Sequence, residues 1–142
     1  MLRRVVLLGG ALLVGVIVLG GVALANDIRG TFGHDDLTGT EQMDRIYGLG
    51  APDTIAGLAG NDDCYGGSAA DEIGCGDGDD RIDGGFGEDE LFGDPGNDTI
   101  LAADGRVDQV NCGTGTDTAY VDELDVVDPN CESVFVAQEQ PV

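Results

Sequence analysis

Residues 84–100 read GGFGEDELFGDPGNDTI, which is one nine-residue pattern written twice. In each copy one glycine stands five residues and another stands two residues before an aspartate, and a hydrophobic residue follows two residues after it. The aspartates are Asp89 and Asp98, and the hydrophobic residues are Leu91 and Ile100. A period of nine fits neither the period of about 3.6 of a helix nor that of about 2 of a long strand. The pattern therefore predicts a sharp turn followed by a short strand, repeated along the chain.

The same spacing runs through half of the chain. Eight aspartates follow one another at intervals of nine: Asp35, Asp44, Asp53, Asp62, Asp71, Asp80, Asp89 and Asp98. Two residues after each stands a hydrophobic residue or cysteine: Leu37, Ile46, Ile55, Cys64, Ile73, Ile82, Leu91 and Ile100. Glycines before an aspartate permit positive φ, so the chain can turn sharply with its carbonyls pointing inward. The expected product is a solenoid that buries one side chain in every strand.

These residues resemble the RTX, or haemolysin-type, calcium-binding repeats, whose unit is GGxGxDxUx. The resemblance covers about Gly30 to Leu101 and is clearest in residues 57–62 and 84–100. It implies an all-β fold, a right-handed parallel β-roll in which two repeats make a coil of 18 residues. It also implies that calcium lies between stacked turns, held by aspartates and by carbonyls of the turns.

A coil of two repeats would divide the aspartates into two columns on opposite edges of the roll. The expected metal ligands of the first column are Asp35, Asp53, Asp71 and Asp89. Those of the second column are Asp44, Asp62, Asp80 and Asp98. The turn glycines expected to supply carbonyls are Gly57, Gly60, Gly78, Gly84, Gly87, Gly93 and Gly96. Gln42, Ala51 and Ala69 replace the glycine two places before an aspartate, so the sites of Asp62, Asp80 and Asp98 rank first and the pair Asp71 and Asp89 next.

Physical chemistry favours the same cation. Ca²⁺ takes about 6 to 8 oxygen ligands, which carboxylates and carbonyls provide without histidine or cysteine. Parallel strands lie about 4.8 Å apart, so stacked carboxylates repel one another unless a cation lies between them. One buried side chain per repeat is a thin core, which predicts that folding is coupled to metal binding. An EF-hand over residues 77–88 is rejected because Arg81 and Ile82 occupy ligand and glycine positions.

Both ends of the chain differ from the repeats. Arg3 and Arg4, an apolar run and Ala23-Leu24-Ala25 predict an export signal over residues 1–25, and the alternative is a membrane anchor through residues 5–25. Residues 26–105 would form the β-roll and residues 106–137, rich in valine, a β-rich cap that closes its end. Residues 138–142 would be a tail. The protein is expected to be secreted, or held at the cell surface if the N-terminal segment is retained.

The charge and the cysteine content of the chain indicate which partners and which compartment suit it. The chain has 28 acidic and six basic residues, a net charge of -22, which disfavours nucleic acid and favours calcium ions. Four cysteines, Cys64, Cys75, Cys112 and Cys131, fit two disulfides in an oxidising compartment. Three pairings are open, and proximity favours Cys64 with Cys75 and Cys112 with Cys131. Zinc is disfavoured because the chain has one histidine and no CxxC.

No catalytic pattern occurs: Gly-x-Ser-x-Gly, Walker and HExxH sequences are missing, and Ser68 and Ser133 are the only serines. The sequence therefore predicts a protein that is not an enzyme. The leading hypothesis is an exported calcium-binding protein with a structural or buffering role. The alternative is an adhesion or surface-interaction protein that calcium makes rigid and the N-terminal segment anchors.

Overall fold

A computed structural model describes residues 26–137, which contain thirteen short β-strands and no helix. In chain order the strands are β1 (Asn26–Arg29), β2 (Asp36–Thr38), β3 (Asp44–Tyr47), β4 (Thr54–Ala56), β5 (Asp63–Ser68), β6 (Glu72–Gly74), β7 (Arg81–Phe86), β8 (Glu90–Phe92), β9 (Thr99–Leu101), β10 (Gln109–Asn111), β11 (Thr118–Val121), β12 (Val126–Val127) and β13 (Ser133–Val136). The predicted signal or anchor, residues 1–25, and the tail, residues 138–142, lie outside the described residues. Across the described part no helix suited to spanning a membrane is found.

The strands form two parallel sheets, because the chain alternates between them at every turn. One sheet has seven strands in the order β1-β3-β5-β7-β9-β11-β13, and the other has six in the order β12-β10-β8-β6-β4-β2. Ile46 pairs with Cys64 and Ile55 with Ile73, each 18 residues ahead. This register confirms the coil of two repeats, and the result is a β-solenoid of about six turns.

The core lies between the two sheets and consists of the residues two places after each aspartate. Ile46, Ile82 and Ile100 from the seven-stranded sheet are fully buried, as are Ile73 and Leu91 from the six-stranded sheet. Flanking strand residues point outward and stay exposed or half-buried, as in the exposed, buried, half-buried order of β6 and β8. The alternation follows from strand geometry, in which successive side chains point to opposite faces.

The solenoid continues past the last regular repeat. β9 pairs with β11 through Thr99 and Thr118, which are 19 residues apart, so the turn over residues 102–108 holds one extra residue. Val110 and Ala119 continue the core on the two sheets. Residues 106–137 thus share both sheets with the repeats. Their separate role as a cap of the roll stays a prediction.

Two disulfides link elements of the roll. They join Cys64 to Cys75 and Cys112 to Cys131, the pairing that proximity favours. Cys64, Cys75 and Cys112 are fully buried. The bridge between Cys64 and Cys75 therefore lies in the interior of the roll, and the bridge from Cys112 reaches the partly buried Cys131. Both add a covalent cross-link to a thin apolar core.

Candidate metal-binding site

The aspartates of each column are joined by a ladder of hydrogen bonds from one coil to the next. The backbone N–H of Asp62 donates to Oδ1 of Asp80 at 2.7 Å, and that of Asp80 donates to Oδ1 of Asp98 at 2.8 Å. Asp53 and Asp71 are joined in the same way in the first column, at 2.8 Å. The ladder fixes every carboxylate against the turn before it, and it uses only one of the two carboxylate oxygens.

The ladders extend beyond the regular repeats. The backbone N–H of Asp89 donates to Oδ1 of Asp108, and that of Asp98 donates to Oδ1 of Asp117, both at 2.8 Å. The first column then ends at Asp125, which accepts from the N–H of Asp108, and the second column ends at Glu132, which accepts from that of Asp117. Asp108 and Asp117 therefore occupy ladder positions that the sequence predictions did not include among the metal ligands.

The second carboxylate oxygen is buried without a hydrogen-bond partner, among the described residues, in eight aspartates. These are Asp53, Asp62, Asp71, Asp80, Asp89, Asp98, Asp108 and Asp117. None of the eight side chains is more than 3% exposed. A buried carboxylate oxygen with no partner is costly, since it has lost water and gained nothing in return. Eight such atoms in two regular columns form a set of positions that cations would satisfy. We call these eight Oδ2 atoms the free oxygens.

Main-chain carbonyls lie beside the free oxygens of Asp53, Asp62, Asp71 and Asp98, where the glycine five places before each aspartate makes room. A Cβ placed on Gly66 would lie 2.5 Å from both Oδ2 of Asp71 and the carbonyl oxygen of Gly84. A Cβ on Gly48 would lie equally close to Oδ2 of Asp53 and to the carbonyl oxygen of Gly66. At Gly48 and Gly66 glycine therefore allows close approach of these oxygens, whereas the residue that follows, such as Gly67, has positive φ. Each of these four turns brings a carboxylate oxygen close to a carbonyl oxygen, and we call such a pair of oxygens a cradle.

The predicted carbonyl donors fall into different surroundings. The carbonyl of Gly84 lies beside Asp71, and that of Gly57 lies beside Oδ2 of Asp44. The carbonyls of Gly60, Gly78 and Gly96 instead face the equivalent glycine in the next coil, which is also two places before an aspartate. The N–H of Gly87 donates to Oδ2 of Asp104, and the N–H of Gly93 donates to the carbonyl oxygen of Asn111. Two further carbonyls, which the glycine pattern did not predict, lie beside Oδ2 of Asp62 and Oδ2 of Asp98, and they belong to Cys75 and Cys112.

The first coil differs from the others, because its two aspartates are satisfied inside the protein. Oδ2 of Asp35 accepts from the N–H and hydroxyl of Thr31 at 2.6 and 2.9 Å. Oδ2 of Asp44 accepts from the same two groups of Thr40 at the same distances. Each threonine stands where later turns place a residue of positive φ, such as Gly67. Asp35 and Asp44 therefore have no free oxygen, although they continue the nine-residue spacing.

Two of the three residues that stand in place of the glycine two positions before an aspartate keep the tight turn despite their side chains. Ala51 and Ala69 adopt φ values of 110° and 94°, which carry a steric cost for any residue with a Cβ. Gln42 belongs to the first coil, in the turn that Thr40 closes onto Asp44. The alanine turns thus preserve the free oxygens of Asp53 and Asp71 at some cost in stability.

Burial makes the columns difficult to ionise without a cation. Loss of solvation raises the pKa of Asp62 to about 6 and that of Asp71 to about 7, against an ordinary value of 3.8. The same cause raises the pKa of Asp80, Asp98 and Asp108 to about 7. Hydrogen bonds from the ladder oppose the shift, and neighbouring aspartates add to it. A column of this kind binds a positive ion, either a proton or a metal.

The cradle is built mainly from the main chain. Nowhere in residues 26–137 do three His, Cys, Asp or Glu side chains gather as a metal-holding cluster. One carboxylate per turn, joined by carbonyl oxygens, is an oxygen-only donor set, which suits a hard cation of flexible coordination such as Ca²⁺. Three acidic residues outside the ladders, Asp36, Asp77 and Glu90, are exposed, as expected for solvated surface charge.

Comparison with known proteins identifies the repeat. The family model described as RTX calcium-binding nonapeptide repeat (4 copies) matches residues 21–48, 38–73 and 76–106, together 84 of the 142 residues. No curated protein and no solved structure matches the chain. The matched residues include the free oxygens from Asp53 to Asp98, while Asp108 and Asp117 lie beyond them.

Proposed function

Because the chain belongs to the family of RTX calcium-binding nonapeptide repeat proteins, we propose that it is an exported protein whose β-roll folds on binding Ca²⁺ and serves a structural or buffering role. Calcium binding and the roll itself are properties of the family. Export, folding on calcium and the biological role are the parts that this proposal adds.

The observation that carries the proposal is the set of eight buried free oxygens. Each is a buried acceptor without a donor. Those of Asp53, Asp62, Asp71 and Asp98 also lie beside a carbonyl oxygen, which cannot donate either. Ca²⁺ would satisfy both kinds of oxygen at once and would offset the repulsion within each column. The first coil would bind weakly or not at all, since Thr31 and Thr40 already satisfy its aspartates.

The ranking of sites follows from the turns. The free oxygens of Asp62, Asp80 and Asp98 belong to turns with glycine two places before the aspartate, and we place the strongest sites there. Asp117 joins them, because Gly113 and Gly115 have the positive φ of the regular turns. Asp71 and Asp89 follow, because only Asp71 of this pair has alanine, Ala69, two places before it. Asp53 and Asp108 come last, since Asp53 and its neighbour Asp71 both follow alanine turns and the turn before Asp108 is irregular.

A calcium titration followed by circular dichroism tests the proposal. We expect little β-structure in chelator and a cooperative gain as calcium is added. Asp80→Asn removes a charge from the second column and is expected to raise the calcium midpoint, whereas Asp77→Asn removes an exposed charge from the same turn and serves as its matched control. A β-rich spectrum that chelator and calcium leave unchanged would refute folding on calcium.

Export is proposed from two features of the chain. Two disulfides indicate an oxidising compartment, and members of the family are typically extracellular. The mass of the protein recovered from its native host distinguishes the two forms of this proposal. Loss of residues 1–25 indicates secretion, and retention of these residues in the membrane fraction indicates a surface anchor. Full-length protein recovered only from the cytoplasm would contradict both.

A further inference from the structure

Both disulfides attach to the turns of the second column. The turns of this column cover residues 57–62, 75–80, 93–98 and 112–117. Cys75 and Cys112 stand where the other two turns have their first glycine, and each is half of a disulfide. The matching turns of the first column, residues 48–53, 66–71 and 84–89, contain no cysteine. One half of each disulfide therefore stands in a turn of the second column, and neither disulfide has a cysteine in these turns of the first column.

The two cysteines also present oxygen atoms to the cradles. A Cβ placed on Gly57 would lie 2.6 Å from Oδ2 of Asp62 and closer still to the carbonyl oxygen of Cys75. A Cβ on Gly93 would lie 2.7 Å from Oδ2 of Asp98 and closer to the carbonyl oxygen of Cys112. Each disulfide thus holds a residue whose carbonyl oxygen lies beside a free oxygen.

The other half of each bridge reaches a different part of the roll. Cys64 lies in β5 between Ile46 and Ile82 in the register, so its bridge to Cys75 crosses the core to the turn that follows β6. Cys131 lies in the last coil and holds it to the turn that begins at Cys112. These links persist without a cation. They reduce the freedom that the second column must lose when an ion binds.

We propose that the oxidation state of these two disulfides sets the calcium concentration at which the roll folds, through the turns of the second column. This inference rests on the proposed function, because it requires that calcium drives folding. An oxidised chain would fold at a lower calcium concentration than a reduced chain. The roll would then be folded in an oxidising medium that contains calcium, and its folded state would be disfavoured in a reducing medium.

The size of the effect follows from the lengths of the closed loops. The bridges span 11 and 19 residues, and a loop of such length changes the folding equilibrium by about a hundredfold in the chain-entropy model. This factor is shared among the ions that bind on folding, at most one for each of the eight free oxygens, or four if the second column alone responds. Loss of one disulfide should raise the calcium midpoint about two- to threefold, and loss of both about three- to tenfold.

The experiment compares calcium titrations of the full chain, followed by circular dichroism, after incubation of the calcium-free protein with and without a thiol reductant. The double variant Cys64→Val and Cys75→Gly restores the aliphatic and glycine residues of the plain repeat, so it removes one disulfide with little change to the core. Adding Cys112→Gly and Cys131→Ser gives a variant without cysteine, whose midpoint the reductant should leave unchanged. In the double variant the reductant should act through the remaining bridge alone.

The outcomes separate this inference from the proposed function. Equal midpoints for oxidised and reduced protein, with calcium-driven folding intact, would overturn the inference and leave the function standing. No calcium-driven folding in either state would overturn both. Amide hydrogen exchange of the oxidised, calcium-free protein compares the turns of the two columns directly. Slower exchange in residues 75–80 and 112–117 than in residues 66–71 supports the inference. Equal exchange contradicts control through the second column.

Discussion

Lowering the pH is expected to fold the calcium-free roll, because protons remove the same charge that calcium neutralises. In the folded chain the pKa of Asp71, Asp80 and Asp98 is about 7, against an ordinary value of 3.8. A group whose pKa is raised by folding stabilises the folded state below its unfolded pKa, and this contribution is lost as the pH rises through the folded value. The contribution is therefore complete below about pH 4 and absent above about pH 7.

The magnitude is large for each group. A pKa difference of about three corresponds to about 4 kcal/mol of lost stability when one aspartate ionises in the folded state. Contributions within a column are not additive, since the carboxyls interact. Two or three such groups would nevertheless match the whole stability of a typical domain, about 5–15 kcal/mol. Ionised columns without a cation should therefore leave the roll unfolded at pH 7.5.

Circular dichroism of calcium-stripped protein, recorded as the pH falls from 7.5 to 5, measures this effect. The lower limit stays above the isoelectric point of about 4.1, where the protein would lose its net charge and its solubility. The double variant Asp80→Asn and Asp98→Asn has two uncharged side chains in the second column, so its β-signal should persist to higher pH than that of the natural chain. A spectrum that is constant over this range, or that gains β-structure as the pH rises, would refute the reasoning.

Three further predictions concern single residues. Asp117→Asn should lower the calcium stoichiometry measured by calorimetry, whereas Asp44→Asn, whose Oδ2 is bonded to Thr40, should not; the reverse result would contradict the assignment of sites. Ala69→Gly should stabilise the calcium-bound roll by about 1 kcal/mol in chemical denaturation, because its φ of 94° suits glycine, and a loss of stability would refute this. Ile82→Ala should cost about 2–5 kcal/mol, since Ile82 is fully buried, while a cost below about 0.5 kcal/mol, typical of surface positions, would show that the core contributes little.

The coil, the two columns and the core could be predicted from the sequence because all three depend on one fixed interval. An interval of nine, doubled, determines the register that pairs Ile55 with Ile73. The same interval places Asp62 next to Asp80. Each of these contacts joins residues of equivalent position in neighbouring coils, so the pattern alone contains the information.

The surroundings of individual carboxylates could not be predicted in the same way, because they depend on single residues at variable positions. Asp44 and Asp62 are equivalent in spacing, but Thr40 bonds to the first and Leu58, with a φ of 87°, leaves the second free. The glycine five places before each aspartate was expected to provide positive φ. Instead it provides space for a carbonyl of the next turn, as at Gly66, and the residue after it turns.

The hydrogen-bond ladder continues after the regular nine-residue spacing has stopped. The interval of nine stops at Asp98, and the next aspartate in the ladder comes ten residues later. The sheets tolerate this change because the extra residue stays in the turn over residues 102–108, while the strands on either side keep their pairing. What continues is an acid whose oxygen accepts the N–H of the previous coil, as far as Asp125 and Glu132. Within residues 26–137 the ladder therefore extends beyond the nine-residue spacing, and the free oxygens of Asp108 and Asp117 belong to this extension.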